Sequence, residues 1–353
     1  MRTPPPEPTL GPCDPADAPA PIALWNRALG GRFPLTERLW RQNVDGDPNW
    51  RAGDGFVLRA GDAPLGFALT RRYRALAANP DMAALRDVGW LMATVVDPAQ
   101  AGRGYGTRLL AAAETRLRDE GATHLDLGAS VGHLLPGPPQ DDPRGARFWA
   151  RHGYQATREV HDLHRSLADW NPPSLPPALM TGGWRIAPTE AGEVGALLPF
   201  LGRAFPGRWR AATADTLARG GESGDLLALW NPAGVVAGFL MLWRTDGPFL
   251  GPGLHWFPTL GARAGAIGPL GLDPTARGLG LGLALVAAAV THLRARLHRL
   301  YDRLGRYGAA PVLRTPRFPA LAQLLAVRAE DRRGVRRGAA RWLAAKEGSW
   351  PVN

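Results

Sequence analysis

The sequence predicts an α/β protein made of two similar halves, and three observations predict it. A stretch of seventeen residues occurs twice: Asp97 to Ala113 and, 176 residues later, Asp273 to Ala289 share nine identical positions. Each copy follows an apolar run suited to a buried strand and precedes an apolar periodicity suited to a helix. The chain has 353 residues, enough for two domains of about 170 residues that each bury a core.

The repeat itself carries the chemistry. Trp90 to Val96 is a continuous apolar run, the pattern of a strand buried on both faces, and Asp97-Pro98 ends it because proline cannot donate to a ladder. The loops Ala101-Gly102-Arg103-Gly104-Tyr105-Gly106-Thr107 and Arg277-Gly278-Leu279-Gly280-Leu281-Gly282-Leu283 place few side chains between the backbone N–H groups and a ligand. Helices follow, marked by Leu109, Leu110, Ala113 and Leu117 in the first copy and by Leu285, Val286, Ala289, Val290, Leu293 and Leu297 in the second. Strand, glycine loop and helix N-terminus together form an anion site, which predicts a phosphate-bearing ligand. Two other phosphate loops are excluded. A dinucleotide fingerprint counted from Gly104 or Gly280 would need glycine at Leu109 or Leu285, and no Gly-Lys-Ser/Thr is present.

The remaining elements fall in the same order in both halves. In the first, Thr9 to Asp17 reads as an opening strand and helix cap, with Asp14 as the N-cap, followed by a helix carrying Ile22, Leu24, Trp25 and Leu29. Pro34 to Trp50 reads as a second short helix. Gly55 to Ala60 and Leu65 to Thr70 read as a hairpin turning at Gly61-Asp62. Thr123 to Ser130 is the strand after the glycine-loop helix, a long Pro-rich loop from Val131 follows, and Ala146 to Tyr154 is a closing helix and turn. Arg158 to Trp170 is expected to be the last strand, and Asn171 to Pro177 a stiff linker. In the second half, Gly183 to Glu190 is a strand and cap, and a helix runs through Val194, Leu197, Leu198 and Leu201. Asp225 to Trp230 and Val235 to Trp243 form a hairpin around Asn231-Pro-Ala-Gly, and Ala264 to Leu272 leads into the second glycine loop. The predicted domains are residues 1–170 and 181–353.

This pattern resembles the pyrophosphate loop of the GNAT superfamily of acyl-CoA N-acyltransferases, R/Q-x-x-G-x-G/A after a strand that ends in Asp-Pro. Copy two matches with Arg277, Gly280 and Gly282; copy one has Ala101 in place of the Arg or Gln, with Gly104 and Gly106 in register. The resemblance implies two tandem domains, each a mixed, mostly antiparallel sheet flanked by helices, with a splayed parallel strand pair at the acyl-CoA site. It implies acetyl-CoA as co-substrate, held by the two loops, by Val95 and Val96 and by Gly271 and Leu272, and a small-molecule amine as acceptor. The family's closing helix carries a tyrosine that protonates the leaving thiolate. Trp149 stands there in the first half, and an indole cannot serve as that acid. By its motifs the first half is therefore the poorer catalyst.

In the second half the matching tyrosine is Tyr301, only 19 residues past Gly282, against 43 between Gly106 and Trp149. Either a strand is missing there, or the helix continues to about Gly305 and Ala310 to Thr315 is a displaced strand. Candidate catalytic groups are Tyr301 as acid and His133, with Asp126 and His255 also in the right neighbourhoods. The leading alternative is a catalytically inactive CoA-binding or scaffold protein of the same fold, and both readings allow a pseudo-dimeric monomer or a homodimer.

Composition bounds the rest. The single cysteine, Cys13, permits no internal disulfide and fits a reducing cytoplasm; the start has no apolar core of signal-peptide length, and no apolar run is long enough to span a bilayer. The formal charge of +11 comes almost wholly from arginine, since Lys346 is the one lysine among 42 basic residues. That excess can draw in a polyanionic co-substrate. The interleaved aromatic and basic pattern of single-strand nucleic-acid binders is absent, and the Arg-rich stretch from Asp331 to Arg341 reads as a solvated helix.

Overall fold

A computed structural model describes residues 7–74, 80–157, 160–167, 170–261, 264–305 and 326–327, with only the backbone described from 297 onward. The chain divides into two compact units, Met1–Gln155 and Ala156–Asn353.

In the first unit five strands lie in the order β1 (Thr9–Pro12), β2 (Gly55–Ala60), β3 (Ala63–Arg71), β4 (Val88–Val96) and β5 (His124–Leu127). The first four are antiparallel, and β5 runs parallel to β4. The hairpin turns at Gly61 and Asp62, as its sequence requires. One face of the sheet packs on α3 (Tyr105–Asp119), whose Leu109, Leu110, Ala113 and Leu117 are all buried against Leu58, Ala68 and Leu91. Each such leucine contributes about 1.5–3 kcal/mol. Helix α4 (Pro143–Arg151) lends Phe148 and Trp149 to the same cluster. On the other face, α1 (Pro19–Ala28) contacts α2 (Glu37–Trp40), where Trp40 meets Phe67 edge-on at 6.3 Å. The expected second helix is thus one turn of α-helix that widens into a π-helical turn, Arg41–Asp45.

That widened turn is held by one buried side chain. Arg71, at the end of β3, pairs with Asp47 at 2.6 Å and donates to the Asn43 carbonyl at 2.6 Å, the Ser130 hydroxyl at 3.0 Å and the Val131 carbonyl. The turn after α2 and the segment after β5 are thereby fastened to the sheet.

The second unit has an antiparallel four-stranded sheet in the order β10-β9-β8-β7, formed by β7 (Arg185–Pro188), β8 (Leu226–Trp230), β9 (Val236–Arg244) and β10 (Gly265–Leu272). Helix α6 (Val194–Ala204) packs on one face through Leu197, Phe200 and Leu201. Helix α7 (Arg208–Ala218) joins that face from a stretch whose sequence marks no clear periodicity. Helix α8 covers the opposite face with Leu285, Ala289, Val290 and Leu293, and it runs unbroken from Leu281 to Gly305. The helix thus continues to Gly305, the part of the second alternative that falls on described residues. Ala310 to Thr315 and the basic stretch Asp331 to Arg341 lie outside the described residues.

Two expectations are corrected. Among the described residues of Arg158 to Trp170, only β6 (His161–Asp162) is a strand, and it pairs with β11 (Ala326–Val327). The domain division falls after Gln155 instead of after Trp170, because Leu167 and Trp170 pack into the second core with Leu240 and Leu285. The predicted linker then contains a short helix, α5 (Pro177–Met180). No helix among the described residues is long and apolar enough to cross a membrane, and no cluster there could hold a metal ion.

Candidate active site

The sequence repeat is a repeat in space. Strands β4 and β10 end at Val96 and Leu272, and α3 and α8 begin at Tyr105 and Leu281, in each case 176 residues apart. Between them Asp97 and Asp273 each cap a short 3-10 turn, accepting from Ala99 N and Thr275 N at 3.0 Å. Both carboxyls lie below the usual carboxylate range: at Asp97 through the Ala99 N–H, with Arg27 adding to it, and at Asp273 through the Thr275 hydroxyl first and the Thr275 N–H second. The glycines then turn left-handed, Gly102 and Gly104 at φ 80° and 79°, Gly278 and Gly280 at φ 72° and 74°. Glycine is required there because a side chain disfavours that conformation. Ala101 does not disturb the loop, since the Arg277 guanidinium that replaces it in copy two binds its own strand at the Leu272 carbonyl, 3.1 Å away.

What surrounds the two loops differs. Strand β5 follows β4 in register only from Val88↔His124 to Leu91↔Leu127, with a last bond from Gly128 N to the Leu91 carbonyl at 2.8 Å. There the chain turns away through Gly128 at φ 67° and Ala129 at φ 55°. A Cβ on Gly128 would stand 2.3 Å from the Leu135 carbonyl, so only glycine fits. Beyond Leu91 the strands splay, as the family resemblance implied, and open a cleft of about 550 Å³. Its walls include Thr94 to Val96, the loop from Gln100 to Thr107, Trp25 and Leu29 of α1, and Phe148 and Trp149 of α4.

The polarity of this cleft suits an extended amide-bearing ligand with a diphosphate. Antiparallel alternation turns the N–H and C=O of Ala93 and Val95 toward β3 and leaves those of Thr94 and Val96 facing the gap. The Thr94 hydroxyl is buried without a hydrogen-bond partner, a cost of about 1–3 kcal/mol until an acceptor arrives. At the mouth, the first turn of α3 has no side-chain cap, so its leading N–H groups face the loop unsatisfied. A Cβ on Gly102 or Gly104 would meet nothing within 4 Å, and Arg144 and Arg151 line the same cleft. These residues fit acetyl-CoA.

In copy two the corresponding space is filled. Pro176 stands 3.2 Å from where a Cβ of Gly280 would lie. Ala178 and Leu179 of α5 pack with Leu281, which is fully buried. Strand β10 is the edge of its sheet among the described residues, with no parallel partner from which to splay. Its bulge, aligned with the one at Met92, contains Pro269, which has no N–H, and a Gly268 carbonyl already bound by the Trp243 indole at 2.6 Å.

The predicted catalytic residues do not converge. His133 lies behind the cleft and does not line it: its Nδ1 is 2.9 Å from the Ser130 carbonyl, and burial lowers its pKa to about 4. It is thus neutral at pH 7. Because the unfolded chain takes up a proton near pH 6.5 and the folded chain only near 4, stability should fall as pH drops through that window. Denaturant midpoints measured from pH 7 to pH 4 would show the loss, and His133→Asn should flatten it. Tyr301 lies within α8, with its side chain outside the described residues. Asp126 sits in β5 opposite Trp90, and His255 is buried in the β9–β10 connection. Asp142 was not marked by sequence; it caps α4 by accepting from Arg144 N at 3.1 Å and is the one carboxylate among the described residues lining the cleft.

A family model of acetyltransferase (GNAT) sequences matches residues 25–134 and again residues 196–305. The chain belongs to the GNAT acetyltransferase family. A mycothiol acetyltransferase of Nocardiopsis dassonvillei is 28% identical over 307 residues, covering 76% of this chain and 78% of that one. A second, from a Mycobacterium species (strain MCS), is 31% identical over 291 residues, covering 74% and 86%. Among solved structures, the GCN5-related glucosamine N-acetyltransferase region of a fungal multi-domain GH3 β-N-acetylglucosaminidase aligns with TM-score 0.71 at 24% identity. The alignment covers 83% of this chain and 34% of that longer one. A tandem GNAT protein from the clavulanic acid biosynthesis pathway aligns with TM-score 0.56 at 18% identity, covering 82% and 87%. At such identities the structures speak for the fold alone, here the tandem GNAT fold. The enzyme is thus a GNAT acetyltransferase with two family domains, and the tandem architecture predicted from the repeat is correct.

Proposed function

We propose that this enzyme binds acetyl-CoA in the β4–β5 cleft of its first unit and transfers the acetyl group to a primary amine of a small molecule of the mycothiol type. The observation that carries the proposal is the splay of β5 from β4 directly beneath an open glycine loop. The names of the relatives support the acceptor class. Acetyl-CoA supplies an activated thioester; the protein's part is to hold it and the amine together. The leading N–H groups of α3, with Arg151 at the near end of α4, bind the phosphates. The free backbone groups of Thr94 and Val96 pair with the amides of the arm. Trp25 and Leu29 exclude water on the far face.

Asp142 is the group we assign to take the proton that the amine loses, directly or through one water. Helix α4 supports this: its C-terminal turn touches the start of α3 through Phe148 and His152, so Asp142 stands one helix length away, about 13 Å, toward the reacting end. Asp142→Asn keeps the helix cap and removes the base. It should lower kcat about a hundredfold with little change in KM for acetyl-CoA, read as free thiol released with a panel of amines. An unchanged kcat would remove Asp142 from the mechanism. For the second unit, the covering of its loop by Pro176 and α5 supports the scaffold reading.

A further inference from the structure

Helices α3 and α4 are joined where the phosphates would bind. Thr107, in the first turn of α3, lies 3.2 Å from His152 Nε2, through its hydroxyl. The other ring nitrogen, Nδ1, is 2.8 Å from the Phe148 carbonyl, and because a carbonyl only accepts, Nδ1 carries a proton. In the neutral ring Nε2 is then an acceptor, and the Thr107 hydrogen is spent on it. In the imidazolium the roles reverse: Nε2 donates to Thr107, whose own hydrogen is released toward the glycine loop.

The charged groups on the two helices and the loop are few. On α4 the neighbouring charge is Arg151, and the ring lies 4.5 Å from that of Phe148. At the start of α3 stand Arg103, on the loop, and Arg108, which binds the Pro8 carbonyl at 3.0 Å. The nearest carboxylate along α3 is Glu114, two turns on and bonded to the Tyr154 hydroxyl at 2.8 Å. A diphosphate at the loop brings negative charge beside the ring: it attracts the imidazolium and accepts the hydrogen that Thr107 then frees.

We propose that His152 and Thr107 form a proton-linked clamp on the coenzyme diphosphate: binding takes up a proton at His152, and affinity falls as pH rises through the histidine range. The proposal rests on the placement of the diphosphate argued above. It extends that placement to a residue outside the glycine motif.

Calorimetric titration with dephospho-CoA tests it, because that ligand lacks the phosphate monoester whose second ionisation, near pH 6, would otherwise titrate in the same range. At pH 7, repeating the titration in buffers of different ionisation enthalpy should reveal net proton uptake, and affinity should weaken about threefold to tenfold between pH 6 and pH 8. His152→Gln should abolish the uptake and flatten the profile. Thr107→Val should do the same, and Thr107→Ser should restore both. Proton uptake that persists in His152→Gln, or affinity independent of pH in the unaltered enzyme, would overturn the clamp while leaving the cleft assignment intact. Failure of dephospho-CoA and of CoA to bind at any pH would overturn both.

Discussion

Gly104→Val should lower the affinity for acetyl-CoA by at least about a hundredfold, whereas Gly280→Val should leave it unchanged. Both glycines are left-handed, at φ 79° and 74°, so each valine introduces similar strain, about 1–2 kcal/mol. The two variants are therefore matched in backbone strain. They differ in what the branched side chain meets. At Gly104 it enters open space before the first turn of α3, where the phosphates must approach the backbone. At Gly280 it presses on Pro176, in a loop already covered. Calorimetry on the two proteins reads the difference, with thermal unfolding as the check that both remain folded at the temperature of the titration. Equal loss of affinity in both would mean that both halves hold the ligand. Loss in Gly280→Val alone would assign the site to the half with the better motif.

Arg71→Leu should destabilise the first unit by about 3–5 kcal/mol, the usual cost of removing one partner from a buried ion pair. The guanidinium is 3% exposed and its partner Asp47 is 7% exposed, so water cannot replace the lost bond. Asp47, the Ser130 hydroxyl and the carbonyls of Asn43 and Val131 would lose a donor together. Arg71→Lys should recover only part, because one ammonium cannot reach acceptors that the guanidinium meets with three nitrogens. Ser130 and Val131 follow the turn that diverts β5, so acetyl-CoA affinity should fall along with the denaturant midpoint. A loss below about 1 kcal/mol, the range of an exposed pair, would show that the network is solvated.

Much of this architecture was legible because it rests on local chemistry. Asp-Pro, the left-handed glycines and the leucine spacing of α3 specify strand end, turn and helix without reference to distant residues. The duplication then assigns the same sequence to the same structure twice. What the motif did not reveal was which loop is open. Arg277 made the second copy the better match, yet its guanidinium binds the Leu272 carbonyl of its own strand, and the loop is covered by Pro176 and α5 from a segment that reads as a linker. Long-range packing of that kind leaves no periodic trace. The same holds for the Arg158 to Trp170 segment, whose alternation of Val160, Leu163 and Leu167 suggests a strand although Leu167 is drawn into the second core. Asp142 and His152 were invisible for a different reason: each gains its role only when α4 is laid beside α3.

The gap between β4 and β5 reaches from α1 on one side of the sheet to α4 on the other. On the proposed assignment the donor lies along β4 from the side of Arg151, and the acceptor amine need not share its route. Initial-rate and product-inhibition series should then show a ternary complex that forms with either reactant bound first.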